Sequence, residues 1–250
     1  MKTVLALILC LLTAALPAAA GCGPGVPATS ADTVFQVSVL DALKEGVYQP
    51  DMTFGELSAH GDFGIGTLEG LDGEMIAFDG TFYQVCHAGR VRVIDPGEYT
   101  PFATVCFFDP GIHAELSGVA DYNALAEDLD RLLPTANLIY AIRLDATFDY
   151  IRTRSVPAQE EPYLMLDEVL KDQSFFEADN IQGTLVGFRF PGYASGINQP
   201  GYHFHFLSND QDYGGHVLEC RIAGAEVRIK GYHHFQLNLA DNQGFYRADI

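Results

Sequence analysis

Pro200-Gly201-Tyr202-His203-Phe204-His205-Phe206-Leu207, with Asn209-Asp210-Gln211-Asp212-Tyr213-Gly214-Gly215-His216 following, is the stretch on which the reading of this chain turns. Side chains on a strand alternate faces with a period of two, so His203 and His205 share a face about 7 Å apart while Phe204 and Phe206 enter a core. The segment between the two blocks is dense in turn formers, so Val217-Leu218-Glu219-Cys220-Arg221-Ile222 returns antiparallel and carries His216 to the pair. Three imidazole nitrogens with an open further position describe a catalytic zinc site rather than a closed structural one. Imidazole also suits copper and iron, so ligand type alone does not choose the metal. The plain alternative is three hydrogen-bonded histidines on a half-buried sheet.

Outward from this block the chain is dominated by β patterning. Val34 to Leu40, Val91 to Ile94, Thr104 to Phe108 and the long alternating run Leu138 to Ser155 read as strands. Helical spacing occurs over Asp121 to Leu133, closed by Pro134, and over Pro162 to Phe176. Few helices scattered among many strands predict an α+β, mixed-sheet fold in two sheet-rich halves, residues 34–178 and 179–250, with the histidines on strands of the C-terminal half. Phe63 to Gly70 and Ile181 to Gly187 share a faint Gly-Thr-Leu-x-Gly echo, which common strand-turn chemistry explains as well as duplication does.

Two further constellations carry chemistry. In Thr147 to Pro157, alternation puts Arg152 and Arg154 on one face, where a guanidinium fork fits a carboxylate; surface ion pairing is the competing reading. Gly66-Thr67-Leu68-Glu69-Gly70-Leu71-Asp72-Gly73-Glu74-Met75 reads as a strand, an Asp-Gly hairpin turn and a return strand, with Glu74 directly after the turn. A solvated carboxylate is the plain reading of Glu74.

Residues 1–22 have the layout of a secretory signal: Met1-Lys2, an apolar run from Val4 to Leu12, then Ala18-Ala19-Ala20. Cleavage after Ala20 and a lipoprotein-type cleavage leaving a lipidated Cys22 are the two readings, and either predicts an exported protein, held to a membrane only through the lipid. Residues 23–33 read as a flexible linker. The net charge of −19 excludes a nucleic-acid partner. Cys86, Cys106 and Cys220 read as small buried hydrophobes, with a Cys86–Cys106 disulfide as the alternative in an oxidising compartment.

The chain resembles the bacterial acetolactate decarboxylases from about Phe35 to Ile250. The resemblance rests on Asp51-Met52-Thr53-Phe54-Gly55-Glu56-Leu57, Gly61-Asp62-Phe63-Gly64-Ile65-Gly66-Thr67, Leu71-Asp72-Gly73-Glu74-Met75, Thr153-Arg154-Ser155-Val156-Pro157 and the histidine block. It implies that His203, His205 and His216 ligate Zn2+, that Glu74 and Arg154 are catalytic, and that Thr67 and Arg154 contact the substrate, 2-acetolactate. It implies a homodimer as well. Family members often carry a further active-site glutamate in a C-terminal tail, and the sequence ends at Ile250 without one. The implied chemistry is loss of CO2 to leave an enediolate, with zinc as the electron sink, followed by protonation from a carboxylate to give acetoin.

Two rival functions share the histidine pattern. A cupin-like metal oxygenase also places His-x-His on a strand, but it usually adds a glutamate soon after the pair, where this chain has Asn209 and Asp210. A non-catalytic zinc-binding lipoprotein leaves Glu74 and Arg154 without a role.

Overall fold

The computed structural model describes residues 30–250. The signal, Cys22 and residues 23–29 of the expected linker lie outside the described residues, and its last residue, Thr33, already belongs to the first strand. In chain order the strands are β1 (Thr33–Val37), β2 (Met52–Thr53), β3 (Phe63–Gly66), β4 (Glu74–Phe78), β5 (Thr81–Val85), β6 (Val91–Val93), β7 (Tyr99–Thr100), β8 (Ala103–Cys106), β9 (Ile112–Val119), β10 (Ile139–Ser155), β11 (Ser174–Phe190), β12 (Gly201–Ser208), β13 (Gly214–Tyr232) and β14 (His234–Asn238). The α-helices are α1 (Leu40–Lys44), α2 (Phe54–Leu57), α3 (Tyr122–Leu132), α4 (Leu166–Val169) and α5 (Gln243–Arg247). Among the described residues no helix is long and apolar enough to cross a membrane.

The strands form two main sheets. The first is seven-stranded in the order β14-β1-β8-β3-β4-β5-β6. The second is five-stranded, β10-β11-β12-β13-β9, and β13 also pairs with β10, so that β10 to β13 close on themselves. The second sheet is inserted in sequence between β8 and β14 of the first, because β14 returns to lie parallel to β1. An expected boundary at 178/179 therefore falls inside β11, and the second sheet begins at Ile112 rather than at 179.

Three apolar clusters account for this arrangement. Phe148, Ile151, Leu185, Phe204, Phe206, Val217 and Ile222 fill the interior of the closed sheet, together with Leu125 and Leu129 of α3. Leucines at this four-residue spacing lie on one helical face, and the Asp121 carboxylate caps the helix by accepting from the Ala124 N–H. Phe63, Ile65, Ile76 and Cys106 of the first sheet meet Ala141, Val186, Phe188 and Leu207 of the second. The outer face of the first sheet buries Met75, Ala77 and Val105 against Phe54 and Leu57 of α2.

The expected helix over Pro162 to Phe176 is shortened to α4 and a 3-10 turn, Leu170–Asp172. Ser174 to Phe176 instead extend β11, pairing with Ser155 to Thr153 of β10, because ladder hydrogen bonds to a long ordered strand override local spacing. The disulfide alternative is also corrected: Cys86, Cys106 and Cys220 are free thiols. Cys86 directly follows β5 and Cys106 lies in β8, with β3 and β4 between them. Strands about 4.8 Å apart put the two cysteines on the order of 14 Å apart, twice the reach of a disulfide.

Candidate metal centre

The hairpin read from the sequence is present: His205 of β12 stands opposite His216 of β13. Phe204, Phe206 and Val217 enter the interior cluster, so His203, His205 and His216 face outward, toward the first sheet. Their ligand nitrogens lie within 4.8 Å of one another, and His203 Nε2 is 3.0 Å from His216 Nδ1. Burial lowers the pKa of all three, and the nearby Arg154 charge adds to the effect; His203 falls to about 3. The rings are therefore neutral at physiological pH, with lone pairs available to a cation.

The tautomer of His205 is fixed from across the sheet interface. Its Nδ1–H donates to the Met75 carbonyl at 2.8 Å, which leaves Nε2 as a lone pair. That Nε2 is buried without a hydrogen-bond donor and stands 3.4 Å from Glu74 Oε2. Two acceptors facing one another in a buried site are unfavourable unless a cation or a proton sits between them. Nitrogens around one tetrahedral zinc ion are about 3.4 Å apart, so the donor set fits such an ion.

Glu74 arrives from the first sheet. It opens β4, where alternation sends Glu74 and Ile76 toward the second sheet and Met75 and Ala77 away from it. The connection from β3 is wider than the two-residue hairpin expected. It contains a 3-10 turn, Glu69–Leu71, and positive φ at Gly70, Leu71 and Gly73. Gly73 (φ +75) has no room for a side chain, since a Cβ would lie 2.3 Å from the Val85 carbonyl oxygen. Thr67 is buried, and its hydroxyl donates to the Gly73 carbonyl at 2.7 Å, bracing the loop directly before Glu74.

Glu74 is 6% exposed, and burial raises its pKa while the neighbouring Arg154 pulls it back. Arg154 Nη1 donates to Glu74 Oε1 at 2.9 Å. Arg154 reaches this position through an irregularity in β10. Tyr140, Ile142, Leu144 and Phe148 point to the interior, but the register shifts on both sides of Phe148, and Ile151 takes over the interior face. The parity of the strand is thereby reversed and Arg154 turns toward the histidines. Arg152 does not join the site: it pairs with Glu177 at 3.5 Å and covers the Phe175 ring. Surface ion pairing is the correct reading for that residue.

Thr67, Glu74, Arg154 and the three histidines line one cavity of about 490 Å³. The Met75 carbonyl has no signal in the sequence, because backbone acceptors leave no mark in residue identity. Tyr122 and Tyr202 also line the cavity and were missed, although Tyr202 directly precedes His203. The Tyr122 hydroxyl donates to the Tyr202 carbonyl at 3.0 Å, tying α3 to the histidine strand.

Residues 34–250 match the family model described as alpha-acetolactate decarboxylase. The chain belongs to the alpha-acetolactate decarboxylase family. Curated relatives include the alpha-acetolactate decarboxylase of Methylococcus capsulatus, 45% identical over 217 residues, or 87% of this chain and 84% of the relative. That of Methanosarcina mazei is 41% identical over 227 residues, 91% of this chain and 79% of the relative. The crystal structure of alpha-acetolactate decarboxylase from Bacillus subtilis strain 168 superposes with a TM-score of 0.85 at 37% identity, covering 87% of this chain and 93% of that one. The sheet-rich α+β fold of the family is thus the fold described above, and the chain is an enzyme of this family.

Proposed function

We propose that the chain converts 2-acetolactate to acetoin and CO2 with a zinc ion held by His203, His205 and His216. The observation that carries this reading is the convergence of His203, His205 and His216, their ligand nitrogens within 4.8 Å of one another, in a cavity that Glu74 and Arg154 also line. A zinc ion held by the three histidines would supply a Lewis acid that stabilises the charge left when the bond to CO2 breaks.

The chain's own residues do the rest. Arg154 presents its planar fork to the cavity, where it orients the substrate carboxylate. Glu74, its pKa raised by burial, retains a proton and delivers it to the carbon from which CO2 has left. The Arg154 Nη1 hydrogen bond then stabilises the carboxylate that Glu74 becomes. Thr67 acts through the loop it braces, holding Glu74 at the start of β4. Zinc-loaded protein should release CO2 and acetoin from racemic acetolactate, and chelated protein should not. Failure of the zinc-loaded protein to form acetoin would end this reading.

We further propose that residues 1–22 direct export, by cleavage after Ala20 or by lipidation of Cys22, and that the enzyme works as a homodimer. The apolar run with its small-residue border supports the first, and the family resemblance supports the second. Mass spectrometry of the mature N-terminus and light scattering of the purified protein test them.

A further inference from the structure

The histidine strand is held unevenly. On one side β12 pairs with β11 along its whole length, Gly201 to Ser208. On the other side β13 meets it only over His205 to Leu207, and His216 is where that pairing ends. β13 then parts from β12, and its next neighbour on that side is β9, from Ile222 onward. Val217 and Leu218, on the departing stretch, line the active-site cavity together with Tyr122, Tyr202 and His203. The parting of the strands opens room beside the histidines and leaves residues 201–204 with a ladder on one side only. His205 lies where β12 is paired on both sides, and its ring is anchored as well by the Met75 carbonyl. His203 lies on the half that is paired once.

α3 supplies what the missing strand does not. Its first residue, Tyr122, donates its hydroxyl to the Tyr202 carbonyl at 3.0 Å, a bond of the kind a neighbouring strand would have given. The Tyr122 ring also meets the Phe204 ring edge-on, with centroids 6.2 Å apart. Tyr122 thus holds the residues on both sides of His203, one by its backbone and the other by its side chain. Near the other end of the helix, the Asp130 carboxylate accepts from the Tyr202 hydroxyl at 2.7 Å. Between these two holds, Leu125 and Leu129 bury in the interior cluster with Phe204 and Phe206, so the helix is itself fixed. Burial raises the pKa of Tyr122, which keeps its proton and remains a donor.

We propose that Tyr122 is a positioning residue for the metal centre, taking the place of the absent strand and holding His203 at the spacing from His205 and His216 that a cation needs. The inference rests on the zinc reading above and deepens it: Tyr122 acts through the backbone of β12 rather than on the substrate. Groups that orient a metal-binding histidine typically account for about 10–100-fold of metal affinity. The demand on Tyr122 is specific, since its hydroxyl should matter to His203 and not to His205.

Tyr122→Phe removes the hydroxyl and keeps the ring on Phe204. Zinc affinity, measured by competition with a chelator, should fall by about tenfold or more relative to the unaltered protein. Magnetic resonance of metal-free protein with isotope-labelled histidine separates positioning from general loosening. One proton is shared between His203 Nε2 and His216 Nδ1, 3.0 Å apart, and another is held between His205 Nδ1 and the Met75 carbonyl. In Tyr122→Phe the first should exchange with solvent about tenfold faster, and the second at a rate within about twofold of the original. An unchanged zinc affinity in the folded variant overturns the proposal, and so do two protons that quicken together. Asp130→Ala releases the other hold from a largely exposed position, and it carries the test should Tyr122→Phe fail to fold. It should weaken zinc binding by about threefold and quicken the same His203 proton. No effect on either quantity overturns the proposal. An unaltered protein that binds no zinc would remove the zinc reading and this inference together.

Discussion

The two sheets contribute unlike things to one site. The closed second sheet supplies three histidines and Arg154 from β10, β12 and β13, strands of up to 19 residues whose pairing fixes each side chain by register. The first sheet supplies Glu74 from the first residue of a five-residue strand, after a loop with three positive-φ residues. On the proposed reading, the groups that hold the metal come from the closed sheet, and the group that delivers the proton comes from a short strand that follows an irregular loop. Metal retention and proton delivery should therefore be separable by mutation, the first lost from one sheet and the second from the other.

His205→Ala tests the extreme case. Removal of one of the three proposed ligands should abolish bound zinc and lower turnover by about a thousandfold or more, measured as metal content and acetoin release together. Acid should act on the same side of the comparison. The three histidines are neutral when folded, whereas in the unfolded chain they take up protons below about 6.5. Between that value and the lowered folded values, about 3 for His203, the unfolded state binds more protons, so stability contributed by these rings falls as pH falls. Glu74, with its raised pKa, contributes the opposite slope, but it is one group against three. In chelator, Tm should drop on going from pH 7 to pH 5; a flat profile would contradict the burial of the triad.

Glu74→Gln is the counterpart in the first sheet. Bound zinc should stay, while kcat falls roughly a hundredfold or more because an amide has no acidic proton to give. Loss of zinc in this variant would collapse the distinction between the sheets. Gly73→Ala probes the loop rather than the carboxylate: a Cβ 2.3 Å from a carbonyl oxygen at φ +75 should cost about 1–3 kcal/mol of stability and reduce kcat, again with zinc retained.

The smallest effect is expected where the sheets are tied together. Arg143 of β10 donates to Asp79, in the turn between β4 and β5, at 2.8 and 2.9 Å. Asp79 is largely exposed, so Asp79→Asn should cost only about 0.5–1 kcal/mol in denaturant unfolding and leave chemistry unchanged.

The second sheet was the more legible of the two. His203, His205 and His216 were readable because strand period and turn composition are local properties, and a hairpin brings its partners together without help from the rest of the chain. Arg154 was legible by residue type but not by face. Uninterrupted alternation from Leu138 to Ser155 would put it beside Ile142 and Leu144 in the interior, and only the register shift near Phe148 turns it to the histidines. Glu74 was harder still, since nothing near it in sequence says that β4 packs against β12. The helix expected over Pro162 to Phe176 failed for the same reason: its C-terminal part is claimed by β10, a partner fixed by tertiary structure.

The parallel pairing of β1 with β14 has a consequence for biogenesis. All five residues of β1 are buried, yet Thr33 meets its neighbour His234 only after roughly 200 further residues have been made, a separation that makes closure slow. Until then, one edge of an apolar strand offers unpaired N–H and C=O groups to any passing chain. The nascent protein must be shielded along that edge until nearly the whole polypeptide has emerged, and its yield in a cell will depend on how well that shielding is done.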